Sequence, residues 1–136
     1  MRRTMFGLAI ALTVSWLPAA TDSKGDHLAF RTLQEQARAD LSKSDGKAYH
    51  ATMSKTYVQK LSGGITSCVH TFHGETSDPF EAIVVVAQDG KVSQVEVYPE
   101  TFLSKCIRQR LLRAAFSQPP LAPFHDLMNI SFKAED

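Results

Sequence analysis

The sequence predicts an α+β fold in which helices pack on a small antiparallel sheet. Helical patterns come first, an alternating apolar run from Phe80 to Tyr98 is divided by a turn at 88–90, and another alternating segment closes the chain. These observations predict a two-layer helix–β-hairpin–helix–strand domain with a three-stranded antiparallel sheet, preceded by N-terminal helices.

The first 20 residues have the three parts of an export signal. Arg2 and Arg3 form the positive start, Met5 to Leu17 the apolar stretch, and Pro18-Ala19-Ala20 the small-residue end. The apolar stretch has 13 residues, whereas a membrane-spanning helix needs about 20. We therefore expect cleavage after residue 20 and a periplasmic protein, with an uncleaved N-terminal anchor as the alternative.

Cleavage would leave a chain of near-neutral charge. The two arginines are lost, so 13 basic residues remain against 14 acidic ones, a net charge of −1. No basic stripe or acidic tail is present, which argues against nucleic-acid binding. We expect an N-terminal helical extension at 21–60 and one small domain at 61–136.

The extension and the start of the domain are predicted to be helical. One helix is expected from His27 to Ser42, with a break at Ser44-Asp45-Gly46. A second helical pattern follows, which Gly63-Gly64 should interrupt or bend because paired glycines are poor in a helix interior. A short helix should then end near Phe72. The apolar positions are Phe30, Leu33, Ala37 and Leu41 in the first pattern and Tyr49, Met53, Tyr57 and Leu61 in the second.

A β-hairpin is predicted next. Ile83 to Val86 is strongly strand-prone. Gln88 to Lys91 fits a tight turn in which Gly90 supplies the positive φ. The return strand, Val92 to Tyr98, should end at the proline that follows it.

The end of the chain is predicted to add a helix and an edge strand. A helix is expected from Ser104 to Phe116, an extended proline-rich stretch at 119–123, and a half-buried strand from Leu127 to Lys133. If this strand lies beside the first, the spatial order is second, first, third, with the helices on one face. The closing strand would then have unpaired backbone groups at a sheet edge.

The two cysteines, Cys68 and Cys106, are predicted to form a disulfide in an oxidising compartment. In the chain-entropy model, closing this loop contributes about 3 to 4 kcal/mol. Redox catalysis is not expected, since the sequence has no Cys-x-x-Cys to lower a thiol pKa.

The order of motifs from Leu61 to Lys133 is also informative. A cysteine precedes the hairpin, and the later motifs are Ala87-Gln88-Asp89-Gly90-Lys91-Val92, Pro99-Glu100, Cys106, Pro119-Pro120 and Ile130-Ser131-Phe132-Lys133. This set resembles the C-terminal domains of the TonB and TolA superfamily of periplasmic proteins. The resemblance implies helix–hairpin–helix–strand topology, non-enzymatic protein binding, and recruitment of partner strands to the exposed edge. The long spacer of the family's energy transducers is missing, and cleavage would remove the anchor, so force transmission is expected only if the N-terminal segment is retained as a membrane anchor.

The expected partner is a periplasmic or envelope protein, with the chain acting as an adaptor or as a toxin-neutralising immunity protein without a cofactor. An exposed edge strand also permits a homodimer. The predicted partner-binding residues are Asn129, Ile130, Ser131 and Phe132 on the closing strand, Arg108 and Arg113 on the basic helix face, and Phe124 among the prolines.

Metal binding and hydrolysis are two other classes of function for which the sequence offers candidate residues. His70, His73 and Glu75 could bind zinc or copper, although oxidation of Cys68 would remove a neighbouring ligand. A hydrolase would need a nucleophile and an oriented base, and neither an elbow motif nor paired carboxylates accompany Ser104 and His125. The sequence therefore keeps a metal-binding periplasmic protein as an alternative function and does not predict an enzyme.

Overall fold

The computed structural model describes residues 23–72 and 79–132, so the predicted export signal at 1–20 lies outside the described residues. The elements are α1 (Ser23–Ser42), α2 (Ser44–Thr56), a π-helical turn (Tyr57–Leu61), α3 (Ser62–Thr71), β1 (Phe80–Val86), β2 (Val92–Tyr98), α4 (Phe102–Leu112) and β3 (Phe124–Ile130). The predicted α+β class, with helices preceding the hairpin, is confirmed.

The sheet has the predicted order, β2-β1-β3, and both pairings are antiparallel. The hairpin turn depends on Gly90, whose φ is +85°. A Cβ at this position would lie 2.1 Å from the carbonyl oxygen of Phe116, whose own N–H donates to the Gly90 carbonyl at 2.9 Å. Glycine is therefore required both for the backbone conformation and for the close approach.

Helices cover both faces of the sheet. The larger core lies between one face and the α2, α3 and α4 side, where Ala82, Val84 and Ile107 are fully buried. On the opposite face, Ile83 packs with Phe30 and Ala37 of α1, which adds a layer that the two-layer prediction did not contain. The cause is the unbroken apolar run in β1, because a strand that is apolar on both faces must be covered on both.

The helix boundaries differ from the predicted ones where local contacts decide them. The irregularity falls at Tyr57–Leu61, just before Gly63-Gly64, and the two glycines lie within α3. Helix α4 begins at Phe102, earlier than predicted, because Thr101 accepts from the N–H of Ser104 in a capping box.

Strand β3 begins at Phe124, three residues before the predicted start. Phe124, Asp126, Met128 and Ile130 all point toward the larger core, so the alternation starts earlier than an apolar pattern shows. Because Asp126 occupies one of these core-facing positions, the apolar alternation of the strand is not visible in the sequence before Met128. The last predicted residue of the strand, Lys133, lies outside the described residues.

Candidate functional site

The edge strand β3 presents backbone groups that no strand of the described sheet pairs. The N–H of Ala87 donates to the carbonyl oxygen of Lys91 at 2.9 Å. Because backbone groups alternate in direction along a strand, the N–H and C=O groups of the odd-numbered residues of β1 point toward β2. Val85 is paired with His125 in the β1–β3 register, which directs the backbone of His125 away from β1. The same alternation directs Leu127 and Asn129 outward, whereas the even-numbered residues of β3 exchange hydrogen bonds with β1.

A carboxylate of α1 occupies the first outward-facing donor of this edge. The N–H of His125 donates to Oδ2 of Asp40 at 3.0 Å, and the imidazole Nδ1 of the same histidine lies 2.9 Å from that oxygen. Both side chains are largely buried. The contact attaches the end of α1 to the start of β3 and leaves Leu127 and Asn129 as the open part of the edge.

A second aspartate–histidine pair attaches α2 to the opposite face of β3. Asp126 is fully buried, with Oδ1 lying 2.5 Å from Nδ1 of His50 and Oδ2 accepting from the Tyr57 hydroxyl at 3.2 Å. The imidazole of His50 is partly exposed. Neighbouring residues of β3 therefore hold α1 on one face and α2 on the other.

Burial dominates the electrostatics of this network. Desolvation raises the pKa of Asp126, although hydrogen bonds from His50 and Tyr57 act in the opposite direction. Desolvation, together with the nearby Asp126, also raises the pKa of Tyr57 well above its usual value and that of Tyr49 to about 12. Tyr49 donates to the carbonyl of Ser117 at 2.7 Å. Both phenols are consequently neutral donors at physiological pH.

A groove of about 400 Å³ lies between the start of α1 and the ends of the three strands. Its floor includes Tyr98, Glu81 and Asn129, which are cross-strand neighbours in a single row. From α1, His27, Phe30, Arg31 and Gln34 line it. The groove therefore opens beside the same half of β3 that has unpaired backbone groups.

The structure divides the predicted binding residues of the closing strand. Asn129 is exposed and lines the groove, and Ser131 is exposed just beyond the strand. Ile130 and Phe132 are half-buried and pack against the larger core. The closing strand thus offers a partner its backbone and two polar side chains, while its apolar side chains stabilise the fold.

The remaining predicted contacts are on other elements. Phe124, predicted as a partner contact, is buried: its ring is 1% exposed and packs edge-on against Tyr49 at 4.8 Å, because β3 already begins at this residue. Arg108 forms an ion pair with Glu100 at 3.0 Å, and Arg113 is exposed at the end of α4. The basic helix face is therefore partly neutralised.

The predicted disulfide is present. Cys68 of α3 and Cys106 of α4 are bonded, with their Cα atoms 5.8 Å apart. A disulfide indicates an oxidising, extracytoplasmic environment. Within residues 23–72 and 79–132, no helix is long and apolar enough to cross a bilayer.

The residues weighed for metal binding or hydrolysis are not assembled into a site among the described residues. His70 is exposed on α3, and His73 and Glu75 lie outside the described ranges. No group of three His, Cys, Asp or Glu side chains in the described part of the chain could hold a metal ion. Ser104 is fully buried in the α4 capping box, and its hydroxyl donates to the carbonyl of Pro99.

The two aspartate–histidine pairs were not anticipated from the sequence. The two residues of each pair are 76 and 85 positions apart in the chain, so no local spacing of residues predicts the pairs. The one available signal is an aspartate at a core-facing position of a strand, which needs buried partners. No protein-family model matches this chain, and comparisons with curated proteins and with solved structures found no similar protein.

Proposed function

We propose that this chain is an exported, non-enzymatic protein-binding module of the cell envelope, which captures a partner by adding a strand to the edge of β3. The observation that carries the proposal is the outward-facing backbone of Leu127 and Asn129 on an edge that no strand of the described sheet covers. The resemblance to TonB and TolA C-terminal domains supports the same mode of binding. An envelope adaptor and a toxin-neutralising immunity protein are the two roles that this mode would serve.

Main-chain hydrogen bonds would supply the affinity. An added strand could use the N–H and the C=O of both outward-facing residues, and each net hydrogen bond is worth about 0.5–1.5 kcal/mol. If a carbonyl of the partner strand were left without a donor at this edge, the binding free energy would become less favourable by about 1–3 kcal/mol. Loss of a single outward N–H should therefore weaken capture about 5- to 150-fold.

The matched pair Asn129→Pro and Asn129→Ala tests the proposal. Proline removes an outward-facing N–H and leaves the β1–β3 hydrogen bonds in place, whereas alanine changes the side chain and keeps the N–H. Immobilised wild-type protein and both variants are incubated with periplasmic extract, and the retained proteins are compared by mass spectrometry. We expect a specific partner to be retained by the wild type and by Asn129→Ala, and lost with Asn129→Pro.

Circular dichroism of each variant shows whether the fold is intact. A folded Asn129→Pro protein that retains the same partner as the wild type would exclude pairing at this edge.

Export is the second part of the proposal. The intact mass of the protein from a periplasmic fraction should correspond to a chain that begins at Thr21, with the disulfide formed. A full-length chain in the membrane fraction would instead favour the anchored alternative.

A further inference from the structure

The groove and the open edge of β3 form one continuous surface. Asn129 belongs to both: its backbone faces the open edge, and its side chain lines the groove on the α1 face. A strand added to this edge would extend the row formed by Tyr98, Glu81 and Asn129 by one residue, about 4.8 Å further along. The side chain of that residue would point to the α1 face and lie at the mouth of the groove.

The charges at this position are uneven. Arg31 of α1 lines the groove, is exposed, and forms no ion pair within residues 27–72 and 79–132. The acidic group of the floor, Glu81, already accepts a hydrogen bond from Gln34 at 2.7 Å. Arg38 is on the same side of α1, but it is two residues from Asp40 and therefore lies beside the start of β3. Arg31 is therefore the arginine that α1 presents beside the open half of β3.

We propose that the partner strand carries a carboxylate side chain at the position opposite Asn129, and that Arg31 binds it. The inference rests on the proposed function, since it requires a strand at the β3 edge. Arginine is suited to this role because its planar guanidinium can bind both oxygens of a carboxylate.

A contact within the chain shows the same chemistry at His125, two outward-facing positions before Asn129. At His125, the carboxylate of Asp40 accepts from an outward-facing N–H and lies against the imidazole on the α1 face. The cleft between α1 and β3 thus already holds one carboxylate beside an outward-facing donor. Asn129 with Arg31 repeats the combination of an outward N–H and a basic side chain.

A charge-reversal experiment tests the inference. A phage-displayed library of random heptapeptides is selected against the wild type, Arg31→Glu and Lys47→Glu. The control, Lys47→Glu, makes the same change of charge at an exposed position of α2, on the opposite side of the sheet. We expect the wild type and the control to enrich peptides with Asp or Glu at one fixed position, and Arg31→Glu to enrich Lys or Arg there.

Binding of one selected synthetic peptide measures the effect. Replacing its acidic residue with Gln should weaken binding to the wild type about three- to tenfold and leave binding to Arg31→Glu unweakened. One outcome would overturn the inference and leave the proposed function standing. In it, Asn129→Pro no longer binds the selected peptides, but the wild type selects no acidic residue, or Arg31→Glu selects the same residues as the wild type. Selected peptides that bind Asn129→Pro as well as the wild type, or a selection that yields no common motif, would overturn both.

Discussion

The buried carboxylate of Asp126 makes a quantitative prediction about the Tyr57 hydroxyl. The two groups are hydrogen bonded at 3.2 Å, Asp126 is fully buried and Tyr57 is 7% exposed. Replacing Tyr57 with Phe leaves one carboxylate oxygen without that donor and with no access for water. A hydrogen bond to a charged group is worth about 1.5–3 kcal/mol, so we expect Tyr57→Phe to lower the free energy of unfolding by this amount at pH 7.

The deficit should depend on pH with a definite sign. Burial raises the pKa of Asp126 above its usual value, so its contribution to stability is largest at low pH and is lost as the pH rises through the folded-state pKa. The Tyr57 hydrogen bond opposes that rise in pKa, and its removal lets the pKa rise further. Below both pKa values the carboxyl is neutral and loses only a neutral hydrogen bond, so the deficit should shrink to about 1 kcal/mol near pH 3.

Urea unfolding followed by circular dichroism, at pH 7 and pH 3 with the disulfide intact, measures both values. Tyr49→Phe is the matched control, because Tyr49 donates to the neutral backbone carbonyl of Ser117 and has a pKa of about 12. We expect that variant to lose about 0.5–1.5 kcal/mol at either pH. If Tyr57→Phe shows the same deficit at both pH values, the carboxylate is not what the hydroxyl stabilises.

Three further outcomes are expected. Replacing both cysteines of the α3–α4 disulfide with alanine should lower the free energy of unfolding by about 4 kcal/mol in urea, and a loss below 1 kcal/mol would contradict the chain-entropy argument. Gly46→Ala should destabilise by about 2 kcal/mol or more, because the new Cβ would lie 2.0 Å from the carbonyl oxygen of Asp40, and an unchanged thermal midpoint would refute this. Amide hydrogen exchange measured by NMR should be slow at His125, whose N–H is bonded to Asp40, and fast at Asn129; equal rates would contradict the assignment of the open edge.

Local signals were sufficient for the hairpin, whereas the sheet order was predicted only on the condition that the last strand lies beside the first. The strand-prone run, the turn residues and Gly90 act within a few residues of one another, so their consequences can be worked out without tertiary contacts. The disulfide was predictable because the chain has only two cysteines and its first 20 residues predict export to an oxidising compartment.

Contacts between segments that are distant in the chain could not be predicted from sequence patterns. The cover that α1 provides was signalled only by the unbroken apolar run of β1, which can also be read as one half-buried strand. The start of β3 was hidden because Asp126 occupies a position where an apolar residue would show the alternation. His50 and Asp40 meet β3 only after the helices have packed, so the open part of the edge could not be delimited from the sequence.

The aspartate–histidine pairs also determine how the two halves of β3 differ. A strand with a single neighbour is held by one ladder of hydrogen bonds, and exposed edges of this kind invite indiscriminate pairing. Here Asp40 and His50 fix the first half, at His125 and Asp126, and Asp40 occupies an outward donor there. The second half depends on β1 and on the packing of its core-facing side chains. A partner strand would give this half its second neighbour, so binding and local stabilisation would occur at the same residues, and the fixed first half would set the register at which pairing begins.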